Sequence, residues 1–195
     1  LDEADVAEAA ARDEAGSLSG SLRIAAPPVY ASQVMIPLLP AFHALHPDIR
    51  IELILDDRRI DLVEEGVDLA LRTGVLGDSS LLARRIDSAS RMLVATPGYL
   101  AAHGMPGHPT DLVRHRIISF TSFDSREAWT FEKVGERCSA YPADPILRVN
   151  SAEGLRAAVL AGMGIAMVTN RMVGASLAMG ELVPLLPGWT SGGND

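Results

Sequence analysis

The 195 residues include one cysteine, Cys138, so the chain cannot form an internal disulfide or a multi-cysteine metal site. Positive charge is scarce. Seventeen Lys and Arg face twenty-five Asp and Glu, for a net charge of −8. That balance excludes nucleic-acid binding through bulk positive charge. Long apolar runs are also missing. The longest uncharged stretch, Ile24 to Phe42, contains Pro27, Pro28, Pro37 and Pro40, which makes it a poor membrane-spanning helix. The opening segment does not have the basic-then-apolar pattern of a signal peptide.

Catalytic patterns are equally hard to find. Gly16-Ser17-Leu18-Ser19-Gly20 has Leu18 where a nucleophile elbow needs serine, and it precedes a strand instead of following one. It reads as a linker. Gly162-Met163-Gly164 follows a helical pattern and opens a strand, the reverse of a dinucleotide loop, so a helix cap with a tight turn is expected. His43 and His46 are three residues apart, but no cysteine or third histidine completes a metal set; metal is expected nowhere. Cys138 is expected to be an unreactive thiol near a turn. The pairs Asp56-Asp57 and Glu64-Glu65 read as solvated charge. No cofactor is implied.

What is present is a globular composition, 48% hydrophobic and 22% charged, long enough for one medium domain or two small lobes. Strand and helix patterns alternate. Leu22 to Ala26 predicts a strand, and Tyr30 to Leu45 a helix with Val34, Leu38, Phe42 and Leu45 at helical spacing. Ile49 to Leu55 predicts a second strand, Arg58 to Glu65 a short helix closed by Gly66, and Asp68 to Arg72 a third strand. This β-α-β-α-β order is the signature of a parallel sheet.

The pattern then restarts. Strands are expected at 92–95, 117–120 and 165–168, with 128–131 and 146–149 alternating like antiparallel strands. Helices are expected from Tyr99, over a turn at 111–115, at 151–160 and at 170–178, before a last strand at 182–186. Two α/β lobes with crossings near Ala95 and Asn170, and a ligand cleft between them, are the simplest reading. Five of the nine aromatics lie between Phe120 and Tyr141, which suits either a cleft wall or ordinary core.

Two helix starts stand out, one around Val29, Tyr30, Ala31 and Ser32, the other at Asn150-Ser151-Ala152, where Ser151 fits an N-cap. Each follows a strand and would aim backbone N–H groups and a positive dipole end at the sheet edge where ligands of open α/β folds bind. Arg72, at the end of the third strand, has the guanidinium geometry to pair with a carboxylate, either a ligand's or a structural partner's.

Nine segments follow one another over about residues 18 to 187, and in that order they carry a family resemblance: Gly20-Ser-Leu-Arg-Ile-Ala-Ala-Pro27, Pro37-Leu-Leu-Pro-Ala-Phe42 and His46-Pro47-Asp-Ile-Arg-Ile-Glu-Leu53 come first. Asp61-Leu-Val-Glu-Glu-Gly-Val-Asp-Leu-Ala-Leu-Arg-Thr-Gly74, Asp78-Ser-Ser-Leu-Leu-Ala-Arg84 and Thr96-Pro-Gly-Tyr-Leu100 follow. Asn150-Ser151, Ala161-Gly-Met-Gly-Ile-Ala166 and Gly180-Glu-Leu-Val183 complete the order. Together they resemble the effector-binding domain of LysR-type transcriptional regulators.

The resemblance implies an α/β fold of two Rossmann-like lobes, like a type 2 periplasmic binding protein, with a cleft and two crossover strands. Residues 1–17 are then the end of a linker helix, in keeping with their acidic, Ala-rich sequence. Residues 18–94 and 171–195 form lobe 1, and 95–170 lobe 2. The resemblance also implies effector contacts at Pro28, Val29 and Tyr30, at Asp56, at Ser119 and Phe120, and at Ser151. The bulky Tyr30 makes an aromatic effector an alternative to a small carboxylate. A ligand-sensing, non-enzymatic, cytoplasmic domain is expected, self-associating as a dimer or tetramer without membrane contact. It would reach DNA only through a winged helix-turn-helix that this sequence does not contain. An extracytoplasmic solute-binding protein of the same architecture is the alternative.

Overall fold

The computed structural model describes residues 18–58, 60–73, 82–121, 129–140 and 144–191. The expected linker-helix end at 1–17 lies outside these residues. The chain divides into two compact units, residues 1–72 and 73–195.

The first unit is built on three parallel strands in the order β2-β1-β3: β1 (Gly20–Ala26), β2 (Ile49–Leu55) and β3 (Leu69–Ala70). Ile24, Ala25 and Ala26, at the C-terminal end of β1, are buried, so this core is concentrated toward one edge of the sheet. The helical segment after β1 starts earlier than expected, with an α-turn α1 (Pro28–Tyr30). It passes through a π-helical stretch, Ala31–Met35, into α2 (Ile36–Leu45). Pro37 and Pro40 have no N–H to donate to the preceding turn, and the wider π turn closes instead through Ile36 N–H to the Ala31 carbonyl. Val34 and Phe42 are half-buried as their spacing required, but Leu38 and Leu45 are 63% and 77% exposed.

The helix expected over Arg58 to Glu65 is a hydrogen-bonded turn at 62–66. Asp61 caps it by accepting from the Val63 and Glu64 N–H groups, and Gly66, at φ +60°, ends it.

The second unit holds a five-stranded sheet in the order β10-β4-β9-β5-β8. Its strands are β4 (Arg91–Ala95), β5 (Ile117–Phe120), β8 (Leu147–Val149), β9 (Ile165–Thr169) and β10 (Val183–Pro184). β5 runs parallel to β8 and β9, while β4 is antiparallel to β9. The remaining strands, β6 (Trp129–Lys133), β7 (Glu136–Ala140) and β11 (Thr190–Ser191), form an antiparallel sheet. Helices α3 (Pro97–His103), α4 (Ala152–Leu160) and α5 (Asn170–Ala178), with a 3-10 helix at Pro109–Arg114, complete the unit. Leu93, Leu112, Ile117, Phe131 and Ile165 anchor its core, and truncating a fully buried Leu or Ile there costs about 2–5 kcal/mol.

One expectation is corrected here. The strand expected to be antiparallel at 146–149, β8, pairs in parallel with β5, whereas the one expected at 128–131, β6, is antiparallel to β7 and β11. Cys138 lies within β7, opposite Phe131. Residues 82–94 and 171–191 fall in the second unit. β4 pairs with β9 and β10, and β11 pairs with β6, so backbone ladders tie both segments to that unit. Gly162 and Gly164 behave as a cap and turn. Gly162 has φ +73° just after α4, and a Cβ on Gly164 would lie 2.4 Å from the Arg116 carbonyl oxygen.

Candidate functional site

The residues singled out from the sequence fall on one sheet edge in each unit. In the first unit all three strands are parallel, so their C-terminal ends share an edge. β1 leads into Pro28, Val29 and Tyr30, all half-buried in the first helical turn. Pro27 precedes this turn, Pro28 occupies its first position, and no side chain caps it. β2 ends at Asp56, whose backbone N–H donates to the Ala26 carbonyl at 3.3 Å. β3 leads into Arg72 on the same edge, with the Leu71 N–H on the Ala25 carbonyl at 2.8 Å.

Asp56 and Arg58 of this edge are engaged with each other, and Arg72 with backbone carbonyls. The Asp56 carboxylate accepts the Arg58 backbone N–H at 2.8 Å and Arg58 Nη2–H at 2.8 Å, with Nε–H at 3.2 Å from both oxygens. The bonds from the Arg58 side chain, then that from its backbone, hold the Asp56 carboxyl below the usual Asp range. Burial opposes them weakly, and the charges of Arg58 and Arg72 add to the lowering. Arg72 donates from Nη1 to the Arg58 carbonyl at 3.1 Å and from Nη2 to the Ile60 carbonyl at 3.2 Å. Arg72 thus braces the loop after β2. Arg58, which the sequence reading passed over, is the residue that occupies Asp56; the Asp-x-Arg spacing was the available signal.

In the second unit, Ser119 and Phe120 close β5 and lie in register with Arg148 and Val149 of β8. The Thr121 N–H donates to the Val149 carbonyl at 2.7 Å, which holds the two strand ends together. β8 then runs into α4, where Ser151 is the N-cap and its Oγ accepts the Gly154 N–H at 3.3 Å. A hydroxyl that accepts one bond keeps its own hydrogen to donate. Ser119, Phe120 and Ser151 are all half-buried. Each edge therefore combines neutral polar groups and an aromatic ring, Tyr30 in one and Phe120 in the other, with a helix start. Such an edge can hold a small molecule by stacking and hydrogen bonding, and among the described residues it assembles no nucleophile–base pair.

A family model described as the LysR substrate binding domain matches residues 15–194. The chain belongs to the LysR family. This LysR domain is 37% identical over 191 residues, 97% of its length, to the HTH-type transcriptional regulator PtxR of Pseudomonas aeruginosa. It is 35% identical over 179 residues, 91% of its length, to the uncharacterized HTH-type transcriptional regulator YhjC of Escherichia coli. In both cases it spans 60% of the relative's length. Among solved structures it superposes on the full-length virulence activator AphB of Vibrio cholerae with a TM-score of 0.80 and 29% identity. That match covers 98% of this chain and 65% of AphB. The regulatory domain of CrgA from Neisseria meningitidis gives a TM-score of 0.75 at 31% identity, over 91% of this chain and 88% of that one. These relatives are transcriptional regulators, and the LysR domain is accordingly an α/β effector-binding domain of two lobes. The extracytoplasmic alternative has no counterpart among them.

Proposed function

We propose that this LysR domain senses an effector carrying an aromatic ring, with Pro28, Val29 and Tyr30 as contact residues on the edge of the first unit and Ser119, Phe120 and Ser151 as contact residues on the edge of the second. The observation that carries this reading is the engagement of Asp56 by Arg58 and of Arg72 by two carbonyls. With its charges so occupied, the first edge offers mainly the apolar and aromatic surface around Tyr30. Asp56 and Arg72 then shape the edge through the loop they brace, and a carboxylate on the effector is recognised by N–H and hydroxyl donors more than by a free guanidinium. Binding shifts the population of domain arrangements in a dimer or tetramer, and so transcription, with DNA held by another part of the parent protein in the cytoplasm. The domain itself performs no catalysis. A shallow apolar groove of about 160 Å³ beside Leu22, Met35, Leu39 and Phe42 supports self-association through the helical segment after β1.

The test is a thermal-shift screen of aromatic carboxylates, neutral aromatics and aliphatic carboxylates against the purified domain. A ligand at a hundred times its Kd stabilises by about 2.7 kcal/mol, which raises Tm by roughly 5–10 °C for a chain of this size. Aromatic compounds giving that shift, with aliphatic acids inert, is the expected result. A response confined to aliphatic carboxylates contradicts the reading.

A further inference from the structure

The second unit contains a ring cluster that has no part in the proposed effector contacts. Tyr99 and His115 are buried, at 4% and 8% exposure. The Tyr99 hydroxyl accepts the Arg116 backbone N–H at 2.9 Å and lies 3.3 Å from His115 Nδ1. Having accepted one bond, the hydroxyl has its own proton to donate, and neutral His115 supplies Nδ1 as the acceptor with its hydrogen on Nε2. His103 stacks on the Tyr99 ring at 4.4 Å and 10°, and its Nδ1–H donates to the Tyr99 carbonyl at 3.1 Å. The hydroxyl thus links α3 to the residues that open β5.

We propose that Tyr99 and His115 form a proton-sensitive fastening, closed while His115 is neutral and loosened when it is protonated. A protonated ring carries hydrogen on Nδ1, aimed at a hydroxyl whose own hydrogen then loses its acceptor. A buried cation is also costly without a partner. The groups around His115 do not supply one. α3 contributes Tyr99 and the potentially cationic His103, while Arg114 and Arg116 flank His115 in the chain. Asp111, on the 3-10 helix, is already bound by the Gly107 and His108 N–H groups at 3.0 and 2.9 Å. β7 packs on the same helix with Glu136 and Arg137; Glu136 is engaged by His108 at 3.1 Å, and Arg137 pairs with Glu132 at 3.5 Å. Burial first, then the charge of His103, keep His115 below the usual His range, with Asp111 opposing.

A histidine with a folded pKa below its unfolded value of about 6.5 binds protons better in the unfolded chain. Stability is therefore complete above that pH and falls as the pH drops through it. β4 is antiparallel to β9, and β9 is parallel to β5, so the fastening lies at the sheet edge opposite Ser151. It acts through the unit's stability and not on the effector contacts.

Both tryptophans, Trp129 and Trp189, belong to the second unit, so their fluorescence reports its unfolding alone. In the intact domain, imidazole NMR from pH 5 to 8 is expected to show His115 titrating below 6.5 with its neutral proton on Nε2. His115→Gln, which cannot charge, is expected to lose less thermal midpoint than wild type between pH 7.5 and 5.5, by at least about 2 °C. A His115 midpoint at or above 6.5, or an unchanged pH dependence in His115→Gln, overturns the proposal. If that variant does not fold, the wild-type ring titration decides alone.

Discussion

Arg72 spans two carbonyls that a point charge cannot reach together. Its planar fork reaches the Arg58 and Ile60 oxygens at once, whereas a lysine ammonium at the same place would satisfy one of them. Arg72→Lys is therefore expected to destabilise the first unit by about 1 kcal/mol and to loosen the loop after β2, read by denaturant melts and by amide exchange at Arg58 and Ile60. Asp56 makes the pH prediction at this scale. Its folded pKa lies below the unfolded value, so its contribution is present above about pH 4 and is lost as the pH falls through the folded pKa. Asp56→Asn should lower stability in the neutral region, where the ionised carboxylate contributes, and so flatten the acid limb of the stability profile. Gly164 gives the steric test. A Cβ there would lie 2.4 Å from a backbone oxygen, an atom that cannot swing aside. Gly164→Ala is expected to cost about 1–3 kcal/mol, measured by chemical denaturation.

Ser151 matters as the start of an element before it matters as a contact. Its Oγ caps α4, and Ser151→Ala is expected to cost about 1 kcal/mol, while Ser151→Asp keeps the cap and the stability. An effector carboxylate bound there would be repelled by the aspartate, so calorimetry of that variant separates capping from binding. Ser151 was legible because the N-cap is a local code: a short polar side chain between a strand and an apolar helical run. Thr96 and Thr169 cap α3 and α5 by the same kind of code, whereas the segment after β1 starts at Pro28 with no side-chain cap and earlier than its apolar spacing implied. β7 was not legible. Glu136, Arg137 and Ser139 are exposed, Cys138 is half-buried and only Ala140 is buried, too little apolar signal to mark a strand. Its existence depends on β6, through a hairpin with Lys133 opposite Glu136 across Val134 and Gly135, and such pairing is not a local property. The short helix expected at 58–65 failed for a related reason: Asp61 closes a compact turn there before a helix can propagate.

For the whole molecule, the ordered segments identified the family, and the family supplied the two-lobe α/β plan. Where the chain divides was less legible. A boundary depends on which strands pair, and β10 and β11 are two residues each, joined to β4 and β6 across large sequence distances. The candidate residues share one sheet edge in each unit because parallel strands put their C-terminal ends together. What the side chains do there was not readable, since Asp56 meets Arg58, and Arg72 meets backbone carbonyls, only after folding. The account's central claim is that these edges hold the effector through Tyr30 and the Ser119-Phe120-Ser151 group. The most direct measurement is a crystal structure of the domain grown with the strongest aromatic compound from the thermal-shift screen. The account predicts ligand density against Tyr30, Phe120 or Ser151. Density confined to the groove of about 430 Å³ beside Tyr99, His103 and Leu160, with those residues unliganded, would contradict it.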